Sequence, residues 1–435
     1  MNIAVIGTGY VGLVTGTCFA ETGNQVICVD IDEKKITSMR SGISPIYEPG
    51  LEDLLKKNIK EGRISFTTDL KEAADSSQII FLALPTPSNE DGSADLSYVL
   101  GVAEKLGNII SEYKIIINKS TVPVGSAERV REIIAKNTKV DFDVASNPEF
   151  LREGFAVDDF MRPDRVVIGT KSERAKQILS DLYAPFVKQG NPIFFMDERS
   201  SEITKYAANA FLATKITFMN EIANLCEQAG ADVDAVRIGI GADNRIGNKF
   251  LFAGIGFGGG CFPKDVRALS KTAQEFDYDF KIISSVMDVN EKQKLRLVEK
   301  VKEYFKNDLK GKKFALWGLS FKPNTDDVRE APSLYIIEAL IKAGATVTAF
   351  DPEAMNNVKR ILGGKITYAS NQYDAVKDAD ALLIATEWSI FREPDFEKIS
   401  TQMKNKIIFD GRNLYEPAKM KELGYYYNSI GRGKY

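Results

Sequence analysis

"NIAVIGTGYVG", Asn2 to Gly12, decides the fold. It opens with an apolar run suited to a buried strand. Glycine then recurs at Gly7, Gly9 and Gly12 in the spacing G-x-G-x-x-G, where a helix should begin. Gly7 permits the tight turn, Gly9 lets a pyrophosphate approach the backbone, and Gly12 lets helix and strand pack closely. The helix start, with Tyr10 and Val11 in the turn, presents N–H groups to phosphate. Asp30 ends the next apolar run, "VICVD". An acidic side chain there accepts from a ribose 2′-OH and repels a 2′-phosphate. The segment reads as an NAD site; the bland alternative is a glycine turn that binds no phosphate.

Outward from this turn, "IIFLAL", "KIIINKST", "DVASNPEF", "RVVIGT" and "PIFFMD" read as further buried strands, with helical periodicity between them. This predicts a doubly wound α/β domain over residues 1–197. From Ser200 the texture changes. "SSEITKYAANAFLATKITFMNEIANLCEQAG" has no strand signal and no proline, so one long helix is expected, capped by Ser-Ser-Glu and ending at Gly230. Helical pattern resumes from Pro263 to about Phe305, giving an all-α dimerisation domain over 198–308. After the polar "KNDLKGKK", the runs "KFALWGLSFK", "ATVTAFDP", "DALLIATEW" and "KIIFDGRN" predict a second, smaller Rossmann-like domain over 309–435. Its turn, "WGLSFKPNTDD", has the single glycine Gly318, which argues against a second dinucleotide. Lys322 in that turn reads equally as a surface lysine or as a ligand for another phosphorylated molecule.

The composition bounds the partners. Among 435 residues, 57 Lys and Arg face 60 Asp and Glu, a net charge of −3. Such a balance points to neither nucleic acid nor an anionic membrane. There is no histidine, and the four cysteines are scattered, so no metal site is expected. No apolar run reaches membrane-spanning length, the N-terminus lacks the positive segment of a signal peptide, and the expected compartment is the cytoplasm.

Cys18, Cys28 and Cys226 sit in apolar surroundings and read as inert core residues. Cys261, in "GFGGGCFPKD", does not. Pro263 suits the first position of a helix, which puts Cys261 just before a helix N-terminus, where thiolate is favoured. The neighbouring glycines would keep the sulfur accessible. The residues alone permit a nucleophile or a small cysteine at a tight turn. Lys205 and Asn209 are four apart on the long helix and share one face with Ala208 and Leu212. A lysine there is either desolvated toward base duty or simply solvated. "NPEFLREG" brings Glu149 and Glu153 to the C-terminal edge of the first sheet, where ligands bind, and Thr121 and Thr86 reach the same edge.

The ordered set "GTGYVG", "TPSNEDGSADLSYV", "NKSTVPVG", "NPEFLREGFAVDDFMRPDRVVIG", "EITKYAANAFLATKITFMNEIA", "DNRIGNKFLFAGIGFGGGCFPKDVRAL" and "WGLSFKPNTDDVREAPS" resembles the UDP-glucose/GDP-mannose dehydrogenase family over almost the full chain. The segment after "LREG" is similar to its UDP-glucose branch. The resemblance implies two successive NAD-dependent oxidations of a sugar 6-hydroxyl, UDP-glucose giving UDP-glucuronate. Cys261 would be the nucleophile that carries a thiohemiacetal and then a thioester. Lys205, Asn209 and Asp265 would manage protons and the oxyanion, and Thr121 and Glu149 would order water and sugar. In the same way Lys35, Thr86, Thr121, Glu153, Lys264 and Arg329 would join Gly7, Gly9, Tyr10, Val11, Gly12 and Asp30 in holding NAD. The UDP-sugar would lie against Glu149, Phe150, Leu151, Arg152 and Glu153, against Lys205 and Asn209, and against Phe250, Leu251, Phe252, Ala253 and Gly254, with Gly258 and Lys322. Arg245 would reach a partner's substrate, implying a homodimer. The chain departs from the family at Gly260, where serine is common, at Phe252, where Asn or Lys is usual, and at "ALPTP". A GDP-mannose enzyme and a non-catalytic NAD-binding protein are the alternative readings.

Overall fold

The structure is a computed structural model that describes residues 1–433. The chain divides into two compact units. One comprises Met1–Ala208 with Arg267–Tyr278, and the other comprises Asn209–Val266 with Asp279–Tyr435.

The first unit is built on an eight-stranded sheet. Its strands are β1 (Asn2–Ile6), β2 (Gln25–Val29), β3 (Ile64–Thr67), β4 (Ile79–Leu82), β5 (Lys114–Asn118), β6 (Phe142–Ser146), β7 (Val166–Gly169) and β8 (Ile193–Met196). The order is β3-β2-β1-β4-β5-β6-β7-β8. The first six strands run parallel, and their order reverses between β1 and β4, the switch point of a doubly wound fold. β7 joins β6 antiparallel through the single pair Ser146↔Gly169 and carries β8 parallel to itself. Alternation along β1 shows why these residues make a central strand. Ile3 and Val5 pack into one core, while Ala4 and Ile6 pack into the core on the other face. A strand buried on both faces has no reason to alternate polar residues, which is why β1, β4 and β5 read as continuous apolar runs.

The second unit holds a six-stranded sheet of β9 (Lys313–Trp317), β10 (Thr346–Phe350), β11 (Thr367–Tyr368), β12 (Ala381–Ile384), β13 (Ile407–Asp410) and β14 (Tyr426–Ser429). The order β11-β10-β9-β12-β13-β14 repeats that of β1–β6, again all parallel. β3, β11 and β14 were not legible as strands. β3 is four residues, β11 is two, and β14 is a half-buried edge strand without an apolar run.

The long helix runs from Glu198 to Ala229, three residues earlier than a cap at Ser200 would place it. The true cap is Asp197, whose carboxylate accepts from Ser200 N at 2.9 Å. The helical stretch after Pro263 is three helices, Phe262–Glu275, Lys281–Gln293 and Arg296–Tyr304. Asp277 interrupts the first gap at φ 56°.

The turn after β9 differs in chemistry from the turn after β1. Asp351, at the end of β10, is buried and accepts from Leu319 N at 2.7 Å, Ser320 N at 3.1 Å and the Trp388 indole at 3.0 Å. The turn therefore spends its own N–H groups on a protein carboxylate. Asp351→Ala leaves those three donors buried without that acceptor. The expected loss is about 2–4 kcal/mol, read as a lower melting temperature in calorimetry.

Candidate active site

The glycines of the first turn have separate duties. A Cβ on Gly7, which has φ +99°, would lie 2.4 Å from Ala83 O, and one on Gly12 would lie 1.9 Å from Gly7 O. Both positions are closed by backbone. A Cβ on Gly9 would meet nothing within 4 Å. Open space at Gly9, at the start of helix Tyr10–Glu21, is what a pyrophosphate needs. The residues therefore fit a dinucleotide, with Asp30 at the ribose end. Asp30 Oδ2 accepts from Thr8 Oγ1 at 2.6 Å and Thr8 N at 3.1 Å, and Lys35 Nζ stands 3.9 Å away. Burial opposes its ionisation, but Thr8, the Asp32 N–H and Lys35 outweigh burial and hold its carboxyl below the usual range.

Tyr10 is fixed by Glu48, which the sequence reading missed. The Tyr10 hydroxyl donates to Glu48, whose two carboxylate oxygens also accept from Gly154 N at 2.6 Å and Ala156 N at 2.7 Å. One buried carboxylate thus ties the glycine turn to the segment that carries Glu153. Thr86 Oγ1 donates to Thr121 O at 3.0 Å, so the loops after β4 and β5 are held as one edge.

Lys205 is buried, which removes the solvated alternative. Its buried face on the long helix is shared with Ser201, Glu202, Tyr206 and Asn209; Ala208 and Leu212 are only half-buried. Lys205 Nζ stands 3.2 Å from Glu149 Oε1 and over the Phe150 ring at 5.4 Å. Glu149 is buried too, and its other oxygen accepts from Leu151 N. Glu202 caps the helix Ser126–Asn137 through Gly125 N at 2.6 Å and Ala127 N at 2.8 Å. That bond anchors the loop bearing Thr121 to the helix bearing Lys205. Arg152 is turned away into a bidentate pair with Asp159, at 2.6 Å.

In the second unit Cys261 is exposed and directly precedes helix Phe262–Glu275, with its carbonyl accepting from Asp265 N at 2.8 Å. The other three cysteines are buried. Burial pushes the Cys28 thiol up to about 12 and raises those of Cys18 and Cys226. Asp265 is buried; Asn209 Nδ2 donates to it at 2.6 Å and Lys264 Nζ stands 2.9 Å away.

The glycines beside Cys261 have a reason the sequence did not suggest. A Cβ on Gly258 would lie 2.3 Å from Glu330 O, and one on Gly259, at φ +85°, 2.8 Å from the Phe321 ring. One on Gly260 would lie 2.2 Å from the Arg329 guanidinium carbon. The loop is therefore laid tightly on residues 321–331, which carry Lys322 and Arg329. Gly260 meets only the end of a flexible side chain, so a serine there requires Arg329 to swing away rather than the backbone to move. Gly254 N donates to Asn220 Oδ1 at 2.8 Å, and Phe250 is held at φ +62°, a strained conformation for an aromatic residue. Phe252 is exposed with Arg237 over its ring at 4.4 Å. Arg245 stands apart, 89% exposed at its side chain and paired with Asp243. Among the described residues no cluster of His, Cys, Asp and Glu could hold a metal, and no helix is long and apolar enough to cross a membrane.

In the first unit, a glycine turn open at Gly9 with an acidic ribose partner marks the NAD site of an oxidoreductase. The chain matches the models of the UDP-glucose/GDP-mannose dehydrogenase family for the NAD binding domain over residues 1–187, the central domain over 199–292 and the UDP binding domain over 315–417. It is 51% identical to a UDP-glucose 6-dehydrogenase of Pseudomonas aeruginosa, covering 99% of this chain and 98% of that one. It is 50% identical to a UDP-glucose 6-dehydrogenase of Bacillus subtilis, covering 99% and 93%. A solved UDP-glucose dehydrogenase from Pyrobaculum islandicum superposes with a TM-score of 0.91 at 37% identity, covering 99% and 97%. The chain belongs to the UDP-glucose/GDP-mannose dehydrogenase family, and its cofactor is NAD.

The two closed glycines and the open one separate stability from binding. Gly12→Ala is expected to cost about 1–3 kcal/mol through overpacking against Gly7 O. Gly9→Val is expected to leave the melting temperature unchanged while abolishing the NAD-induced rise in it. Thermal melts of both variants with and without NAD check this.

Proposed function

We propose that this protein oxidises UDP-glucose to UDP-glucuronate, one sugar, one water and two NAD giving the carboxylate, two NADH and three protons. The observation that carries the reading is the exposed Cys261 at the start of a helix whose next turn holds Asp265 bonded to Asn209. NAD, held at Gly9 and Asp30, would supply the hydride acceptor for both oxidations. In the first, Lys205, held by Glu149, takes up the proton that leaves the 6-hydroxyl. The Cys261 sulfur then adds to the aldehyde carbon, and the oxygen it charges is stabilised by Asn209 and by the protonated Lys205. The second oxidation leaves a thioester on Cys261. Water ordered by Glu149 and Thr121 attacks its carbonyl, the C–S bond breaks, and the thiolate is restored. Asp265, in a buried site, takes the proton that the attacking water loses. On this reading the three domains are 1–197, 198–308 and 309–435, with UDP held by the last, and the enzyme works in the cytoplasm.

We infer a homodimer as well. Phe211, Phe218 and Leu225 lie seven apart on the long helix and are 66%, 55% and 59% exposed. Such a row is costly in water and suits a second copy of the helix. Arg245 is 89% exposed at its side chain and pairs with Asp243, which suits a residue that reaches a partner's sugar phosphate.

Two experiments test these readings. Cys261→Ala is expected to lower uronate formation by roughly 10⁴-fold or more while NAD still binds. Wild-type protein is expected to form two NADH per UDP-glucose and to ignore GDP-mannose and UDP-N-acetylglucosamine; silence toward UDP-glucose overturns the assignment. For the assembly, the double variant Phe218→Asp with Leu225→Asp is expected to halve the mass measured by light scattering, against a wild-type dimer.

A further inference from the structure

We propose that Lys119 is a positioning residue of the oxidation, a second buried cation that shares Glu149 with Lys205 and so sets how readily Lys205 exchanges its proton. The inference rests on the role given to Lys205 above.

Lys119 follows β5 directly, and Asn147 follows β6. The Lys119 ammonium donates to Asn147 Oδ1 at 3.0 Å and lies 3.5 Å from the Tyr183 hydroxyl. Its surroundings are aromatic, with the Phe160 and Tyr183 rings 5.7 and 5.9 Å away. Nothing structural demands a charge there. Tyr183 already donates to Asn147 Oδ1 at 2.5 Å, and Asn147 Nδ2 donates to Val167 O at 2.8 Å, so the turn that carries Glu149 is anchored by neutral groups. A buried ammonium with neutral partners costs free energy, and an apolar side chain would avoid that cost.

The charged groups facing Lys119 are Glu149, from the turn after β6, and Lys205, from the long helix. Burial lowers its proton affinity most, Glu149 raises it and Lys205 lowers it, leaving it at about 8. The repulsion is mutual. With Glu149 acting on both amines and the amines repelling each other, each amine holds its proton less firmly than it would with the carboxylate to itself. An amine that must take a proton and release it within one turnover gains from that looseness. Removing the Lys119 charge leaves Glu149 to Lys205 alone, and Lys205 then keeps its proton to higher pH.

The test is NADH formation from UDP-glucose by the full chain between about pH 6 and pH 10, with melting curves, for wild type, Lys119→Met, Lys119→Arg and Lys205→Met. For Lys119→Met the expected results are an undiminished melting temperature, KM values within about twofold, kcat at pH 7 down about tenfold, and the rising limb of kcat moved up by about one pH unit. Lys119→Arg should restore most of the rate. A Lys119→Met profile that superimposes on wild type overturns the inference. So does a uniform loss at every pH with a lower melting temperature that Lys119→Arg does not rescue, since that marks a packing role. If Lys205→Met is inactive and Lys119→Met is normal, only this inference falls. If Lys205→Met turns over like wild type, the role of Lys205 falls and takes the inference with it.

Discussion

The ion pair between Glu149 and Lys205, 3.2 Å apart with both side chains buried, is the contact that ties the turn after β6 to the long helix. Burying two charges is expensive, and a pair of apolar residues would serve stability as well or better. The pair persists where the parallel sheet delivers its strand ends. β4, β5 and β6 point the same way, so Thr86, Thr121 and Glu149 arrive at one edge without any sequence proximity. Glu202 then fastens that edge to the helix of Lys205 by capping the helix after Thr121. The chain commits a run of buried polar groups on one helix face to holding this geometry.

Two sheets of the same strand order serve different ligands because their first turns differ. After β1 the turn leaves Gly9 open and sets Asp30 beside Thr8. After β9 the corresponding N–H groups are consumed by the buried Asp351. Gly318, at φ +90° with Thr386 2.4 Å from its would-be Cβ, keeps the tight turn while the phosphate cradle is gone. What that turn offers instead is Lys322, in the segment that also packs under the Cys261 loop through Phe321, Arg329 and Glu330. The family's UDP binding model falls on this same domain.

The four cysteines are separated by their settings. The chain has no histidine, yet Cys261 stands exposed at a helix start while Cys18, Cys28 and Cys226 are shut in apolar cores. Its glycines serve close packing against residues 321–331, which fixes the sulfur's loop as well as leaving it accessible.

The sequence alone determined the two doubly wound sheets, the long helix and the NAD turn. Each is written in local pattern: apolar runs of strand length, a run without strand or proline, and glycines at fixed offsets. It also determined which residue types to watch, from Asp30 to Cys261. Short or half-exposed strands such as β3, β11 and β14 escaped, because a few residues at a sheet edge carry little periodicity. The helix start at Asp197 escaped because several capping residues stand in a row there. Only the tertiary structure decided what Lys205, Glu48, Lys119 and Glu202 do. Each owes its setting to a partner distant in sequence, and burial is a property of everything packed around a residue.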